Sequence, residues 1–154
     1  MEKGELVLED RLYTDTHEWV KKVGENRYQI GITDLAQYLL KEIQEIDLPR
    51  IGVKLKQFEE WGSIDSSKTS SVLYSPIGGK VIATNQENFG EVNNANNPGE
   101  GSPTTFRYIG EFYNLNKKPY ETWLIEIEAD DESQLTKLLK PDDYKKEVEK
   151  HKTS

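Results

Sequence analysis

The stretch Trp61–Thr84, WGSIDSSKTSSVLYSPIGGKVIAT, decides how the rest of the chain is read. Lys68 stands near its centre, with Ser66 and Ser67 before it and Thr69, Ser70 and Ser71 after it. Apolar residues flank this polar patch: Trp61 and Ile64 on one side, Val72, Leu73 and Tyr74 on the other. Apolar runs separated by a small polar cluster signal strand, tight turn, strand. Hydroxyl side chains suit such a turn because they bond the nearby backbone. Lys68 is therefore expected at a hairpin tip. The segment Tyr74-Ser-Pro76-Ile-Gly78-Gly79 then predicts a second reversal into a strand Val81–Thr84, since proline fixes φ and glycine permits turns that other residues resist. A lysine amine on its four-carbon stem is a common target of acylation. Small neighbours let a modifying enzyme close around it. Turn chemistry alone favours an ordinary solvated lysine, because loop tips are mostly polar surface.

Upstream, residues 1–12 are charged and are read as an N-terminal arm, frayed or forming a short edge strand. Trp19-Val20 starts a strand, Val23–Asn26 turns, and Arg27–Ile32 alternates in β-forming residues and is the next strand. Thr33 is expected to cap a helix, with Asp34 in its first turn. Leu35, Ala36, Leu39 and Leu40 have helical spacing. Ile43–Leu48 returns to strand and Pro49 stops it. Downstream, Asn, Gly, Pro and Glu dominate, and a long surface loop insertion is expected at about 88–113. It carries Phe106, Tyr108, Ile109, Phe112 and Tyr113, which either pack back onto the domain or form a docking patch. Glu121–Glu128 reads as a strand. Asp131 or Ser133 caps a helix Gln134–Leu139, and Pro141 opens a last helix to about Lys150.

Bulk properties exclude several functions. At 154 residues, one domain is expected, spanning 13–154 after the arm. The chain has no cysteine, hence no disulfide, thiolate nucleophile or cysteine metal site. Its net charge of -8 disfavours nucleic acid and anionic membranes, and suits basic partner surfaces. The N-terminus MEKGELVLED has no long apolar run, so neither a signal peptide nor a membrane span is expected. A cytoplasmic location follows, or a mitochondrial one if a presequence has been removed. Of the two histidines, His151 lies in a charged tail, and His17 is read as a packed, hydrogen-bonded residue. No HExxH, phosphate-binding glycine loop or serine–histidine–acid signature occurs. No catalytic residue and no metal site are expected, and the chain is not read as an enzyme.

Two successive hairpins, one bearing a lysine and the other Pro-x-Gly-Gly, resemble biotinyl and lipoyl carrier domains. With YTDTHEW (Tyr13–Trp19), GITDLAQ (Gly31–Gln37), Leu48-Pro49 and Asn116-x-x-Pro119-Tyr120-x-x-Trp123-Leu124, the chain resembles the glycine cleavage system H protein family. The resemblance implies a mainly β fold with short helices: a flattened barrel (barrel-sandwich hybrid) of two antiparallel sheets, closed by C-terminal helices. It implies lipoate attached to Lys68 within Asp65-Ser66-Ser67-Lys68, with Asp65, Ser66, Ser67, Thr69 and Ser70 shaping the tip for recognition. The implied partners are lipoate ligase or lipoyl transferase, glycine decarboxylase, the aminomethyltransferase and dihydrolipoyl dehydrogenase. The cofactor would carry the chemistry and the protein would orient and shelter it. Glu18, in His-Glu-Trp, is expected to steady the cationic aminomethyl-loaded arm. Three features depart from the family. Val72 stands where an aspartate is usual, hydroxyl residues surround Lys68 in place of the usual valine and alanines, and the connection at 88–113 is long. Two alternatives stay open: an H-like lipoyl carrier for a heterodisulfide-reductase-like sulfur-oxidation system, and a non-lipoylated interaction module. Biotin carriers flank their lysine with methionine, and the only methionine here is Met1.

Overall fold

A computed structural model of the chain describes residues 3–94 and 104–153. Strands β1 (Leu12–Tyr13), β2 (Glu18–Gly24) and β3 (Arg27–Ile32) lead into helix α1 (Asp34–Leu40). Then come β4 (Ile43–Pro49), β5 (Lys54–Leu55), β6 (Glu60–Ser66), β7 (Ser70–Tyr74) and β8 (Gly79–Thr84). Strands β9 (Glu91–Asn94) and β10 (Thr105–Glu111), helix α2 (Tyr113–Lys117), β11 (Ile125–Ala129) and helix α3 (Pro141–Thr153) complete the described elements, with short 3-10 turns at Gln86–Asn88 and Glu132–Lys137. Two sheets form, in the orders β1-β2-β3-β11-β8-β5 and β7-β6-β4-β10-β9, and every pairing is antiparallel. They face each other as a flattened sandwich rather than closing into one barrel. Among the described residues no helix is long and apolar enough to cross a membrane.

Local chemistry explains the elements. In β3, Tyr28, Ile30 and Ile32 alternate onto one face and are all buried. In β4 and β6 the buried pairs Ile43/Ile46 and Trp61/Ile64 are three residues apart, which plain alternation forbids. Register shifts after Ile43 and after Glu60 restore both members of each pair to the inner face. Gly79 has no substitute: a Cβ there would lie 2.2 Å from the Glu128 carbonyl oxygen. Thr33 caps α1 as expected, its hydroxyl accepting the Ala36 amide at 3.2 Å.

The two sheets enclose one core cluster. A second cluster seals one end, where Val7, Tyr13, Trp19, Leu35, Tyr120, Tyr144 and Val148 meet. That cluster corrects the reading of the arm as frayed. Asp34 Oδ2 accepts the Gly4 and Leu6 amides at 2.8 and 3.2 Å, and the Tyr120 hydroxyl donates to the Leu6 carbonyl at 2.6 Å. The Tyr13 hydroxyl both accepts from and donates to the backbone of Leu8 at 2.8 Å. The arm is held because polar side chains of the domain satisfy its backbone groups.

The expected loop at about 88–113 is also corrected within the described residues. Thr105–Glu111 is an inner strand of the second sheet, pairing with both β4 and β9. In the strand the pleat buries Tyr108 and exposes Ile109, and beyond it Phe89 and Phe112 are buried whereas Tyr113 is exposed. The Asn/Pro/Gly run, including Asn96, Asn97 and Pro98, lies outside the described residues. Three smaller corrections concern the C-terminal part. Strand β11 begins at Ile125, because Glu121 closes a turn through its amide to the Lys118 carbonyl at 3.1 Å. The expected helix Gln134–Leu139 is a 3-10 turn beginning at Glu132, capped by Asp131, whose carboxylate accepts the Ser133 amide at 3.0 Å. A single α-helix, α3, therefore follows where two were expected.

Candidate functional site

The β6–β7 hairpin carries Lys68, as its polar centre predicts. Asp65 pairs with Ser70 across the last rung of the ladder, and the Ser70 hydroxyl donates to the Asp65 carboxylate. Ser66 closes the turn. Its amide donates to the Thr69 carbonyl at 2.8 Å, while its hydroxyl accepts the Lys68 and Thr69 amides at 3.2 and 3.1 Å. Ser67 fixes the tip from outside, its amide donating to the Glu42 carbonyl in the α1–β4 turn at 2.9 Å. Six residues, Glu42, Asp65, Ser66, Ser67, Thr69 and Ser70, thus brace the turn that carries Lys68, leaving its side chain exposed. No ion pair among the described residues includes Lys68.

That geometry fits an acyl group on the lysine. Converting the ammonium to an amide removes a charge, and here it breaks no salt bridge. Thr69 in place of a smaller residue is no obstacle to the turn, since it lies exposed beside the lysine.

Glu18 lies in the opposite environment. It opens β2 in the first sheet and only 1% of it is exposed. Thr14 and Thr16 donate to its Oε1 at 2.6 and 2.5 Å, and the Tyr74 amide of β7 donates to Oε2 at 3.2 Å. The carboxylate therefore ties the first sheet to the base of the lysine hairpin. Burial pushes its pKa up to about 7, outweighing the three hydrogen bonds that favour the charged form. Near neutral pH it is divided between the two protonation states. Glu18 meets β7 two positions beyond Val72, about 7 Å along a strand. Val72 itself is 38% exposed, so no carboxylate occupies that place on the hairpin face.

The residues that sequence reading did not single out are Thr14 and Thr16. Their spacing of four and two residues before Glu18 curls the chain so that both hydroxyls reach its carboxylate, and that spacing was the available signal. His17 takes the packed role expected of it. It sits at φ 73 and its Nδ1 lies 3.0 Å from the Tyr144 hydroxyl, which in turn lies 2.7 Å from Thr33 Oγ1. His151 is exposed, yet its ring centre is 5.2 Å from that of His17. Burial and the neighbouring His151 both hold the His17 pKa below the usual histidine range.

The family described as Glycine cleavage H-protein matches residues 11–101, which include both the Glu18 turn and the lysine hairpin. The chain belongs to this family. The glycine cleavage system H protein of Staphylococcus haemolyticus is 39% identical over 137 residues, covering 88% of this chain and 92% of its own length. Glycine cleavage system H protein 1 of Caldanaerobacter subterraneus subsp. tengcongensis is 38% identical, covering 93% and 98%. The crystal structure of a glycine cleavage system H protein from Mycobacterium marinum superposes with a TM-score of 0.68, covering 90% of this chain and 95% of that one. At 23% identity, that likeness speaks for the fold alone. The members of this family are lipoyl carriers.

Proposed function

We propose that this chain is the lipoate-bearing carrier of a glycine cleavage system, with Lys68 as the attachment point. The observation that carries the reading is the exposed, unpaired Lys68 on a tip braced by Ser66, Ser67 and Asp65–Ser70. When joined to Lys68, lipoate supplies a dithiolane that takes up and gives up a one-carbon amine fragment and two electrons. The chain's own residues do the rest. Ser66 and Ser67 keep the lysine stem pointing outward, so that glycine decarboxylase, the aminomethyltransferase and dihydrolipoyl dehydrogenase can reach it in turn. Glu18 holds negative charge under the base of the hairpin when ionised, and a cationic amine brought there would favour that form. The chain supplies no nucleophile of its own and acts as a carrier rather than a catalyst.

The test is direct. The purified protein is treated with lipoate ligase and then with glycine decarboxylase and glycine, and its mass is followed at each stage. A lipoyl increment mapped to Lys68, followed by an aminomethyl increment, is the expected result. A lipoyl increment without aminomethyl loading would turn the reading toward the sulfur-oxidation carrier, for which the exposed Val72 speaks. No increment at Lys68 would leave an interaction module.

A further inference from the structure

A groove of about 520 Å³ lies between α1 and α2, walled by Tyr38, Lys41, Tyr113 and Lys117 and floored by the buried Phe112. Its near wall is the Lys41-Glu42 turn, whose Glu42 carbonyl accepts the Ser67 amide at 2.9 Å. The groove and the Lys68 tip are therefore mechanically one piece. Its walls are preset. Lys41 ends α1 at φ 67, and its Nζ sits 4.0 Å over the Tyr38 ring. Asn116 fixes the far wall, accepting the Ile43 amide at 2.9 Å and donating to the Ile43 carbonyl at 3.4 Å. Tyr38 and Tyr113 are 41% and 40% exposed. Rigid aromatic faces around an apolar floor are what binding hot spots are made of.

The charge of this groove opposes that of the molecule. The chain carries a net -8. The groove nevertheless presents Lys3, Lys41 and Lys117 against Glu42 and Glu111. A second groove at the base of the same hairpin, by Val72, has the opposite balance, with Asp47, Glu59 and Glu60 against Lys54. The lysine tip is thus flanked by one basic and one acidic surface.

We propose that the α1–α2 groove is the docking site for an acidic segment bearing an aromatic or aliphatic anchor, presented by the enzyme that acylates Lys68. This rests on Lys68 as the attachment point. The acylating enzyme acts on the bare amine, before any cofactor offers a handle. The tip alone gives it only the small Ser66, Ser67, Thr69 and Ser70 to grip, and it must pass over the other exposed lysines. The basic, aromatic groove fixed to the tip supplies the missing recognition. In the step itself, Nζ bonds to the carbonyl carbon of a lipoyl–nucleotide mixed anhydride made from ATP, the C–O bond to the phosphate breaks, the nucleotide monophosphate departs, and the amine proton passes to solvent.

The test measures transfer of lipoate to the full-length apoprotein by a lipoate ligase supplied with ATP, followed by mass spectrometry. Wild type is compared with Tyr113→Ala, Lys41→Glu and, as a control on another face, Lys80→Glu. We expect kcat/KM to fall roughly tenfold in Tyr113→Ala and in Lys41→Glu. We also expect added salt to weaken the wild-type KM and to leave that of Lys41→Glu nearly unmoved. Circular dichroism reports folding, and if Tyr113→Ala unfolds, the exposed-charge variant Lys41→Glu decides. Modification of Lys41→Glu at the wild-type rate overturns the proposal while leaving Lys68 as the attachment site. Failure of the wild type to be modified at Lys68 overturns both.

Discussion

Lys68 and Glu18 are treated in opposite ways by one fold. The lysine side chain is exposed, its turn is held by its neighbours' backbone and hydroxyl bonds, and no ion pair among the described residues includes its amine. The carboxylate is buried, and its own oxygens collect the Thr14, Thr16 and Tyr74 donors. One group is available to large partners, and the other holds a charge where solvent screens it least. Under the proposed function, attachment and charge control are separate tasks, placed at the two ends of strand β7.

Experiments can break that separation, and the largest effect belongs to the tip. Lys68→Arg should abolish lipoyl incorporation entirely while leaving the melting temperature unchanged, as mass spectrometry and calorimetry on one sample would show. A loss of stability in this variant would mean that the lysine is structural after all. Next comes Glu18. Its folded pKa of about 7 exceeds the unfolded 4.5, so the native state binds the proton more tightly. The stability it lends is therefore complete below pH 4.5 and is lost as pH rises to 7, by about 3 kcal/mol. Urea unfolding across that range should show the decline in the wild type and its absence in Glu18→Gln. A flat wild-type profile would place Glu18 in a wetter site than its burial implies.

Smaller effects sharpen the picture of the tip. Ser66→Ala removes the hydroxyl that gathers two amides of the turn, and it should cost about 1 kcal/mol. It should also speed hydrogen exchange at the Lys68 amide. Asp65→Asn keeps an acceptor for Ser70 at an exposed rung and should cost about 0.5 kcal/mol or less, measurable in parallel urea titrations.

The sequence made the hairpin and α1 legible because their signals are local. Hydroxyl residues around Lys68 and the Thr33 cap act within five residues of themselves. Strand β10 was obscured for the opposite reason. Its neighbouring Asn/Gly/Pro composition says loop, while its main partner β4 lies some sixty positions earlier and could not be seen from the segment itself. The arm was misread likewise, since Gly4 and Leu6 owe their order to Asp34 and Tyr120. Glu18 was found through its motif, but its perturbed acidity comes from burial under β7, which no local pattern encodes.

The Tyr13 ring stacks on Tyr144 with centres 4.4 Å apart, and its backbone exchanges two hydrogen bonds with Leu139. The first strand thus takes partners that are synthesised long after it. On the ribosome, β1 and the Tyr13–Trp19 end cluster stay open until α3 has cleared the exit tunnel. The lysine turn closes through bonds between residues at most five apart. The Lys68 turn can therefore close in synthesis before the partners of β1 exist, so the hairpin does not depend on that seam.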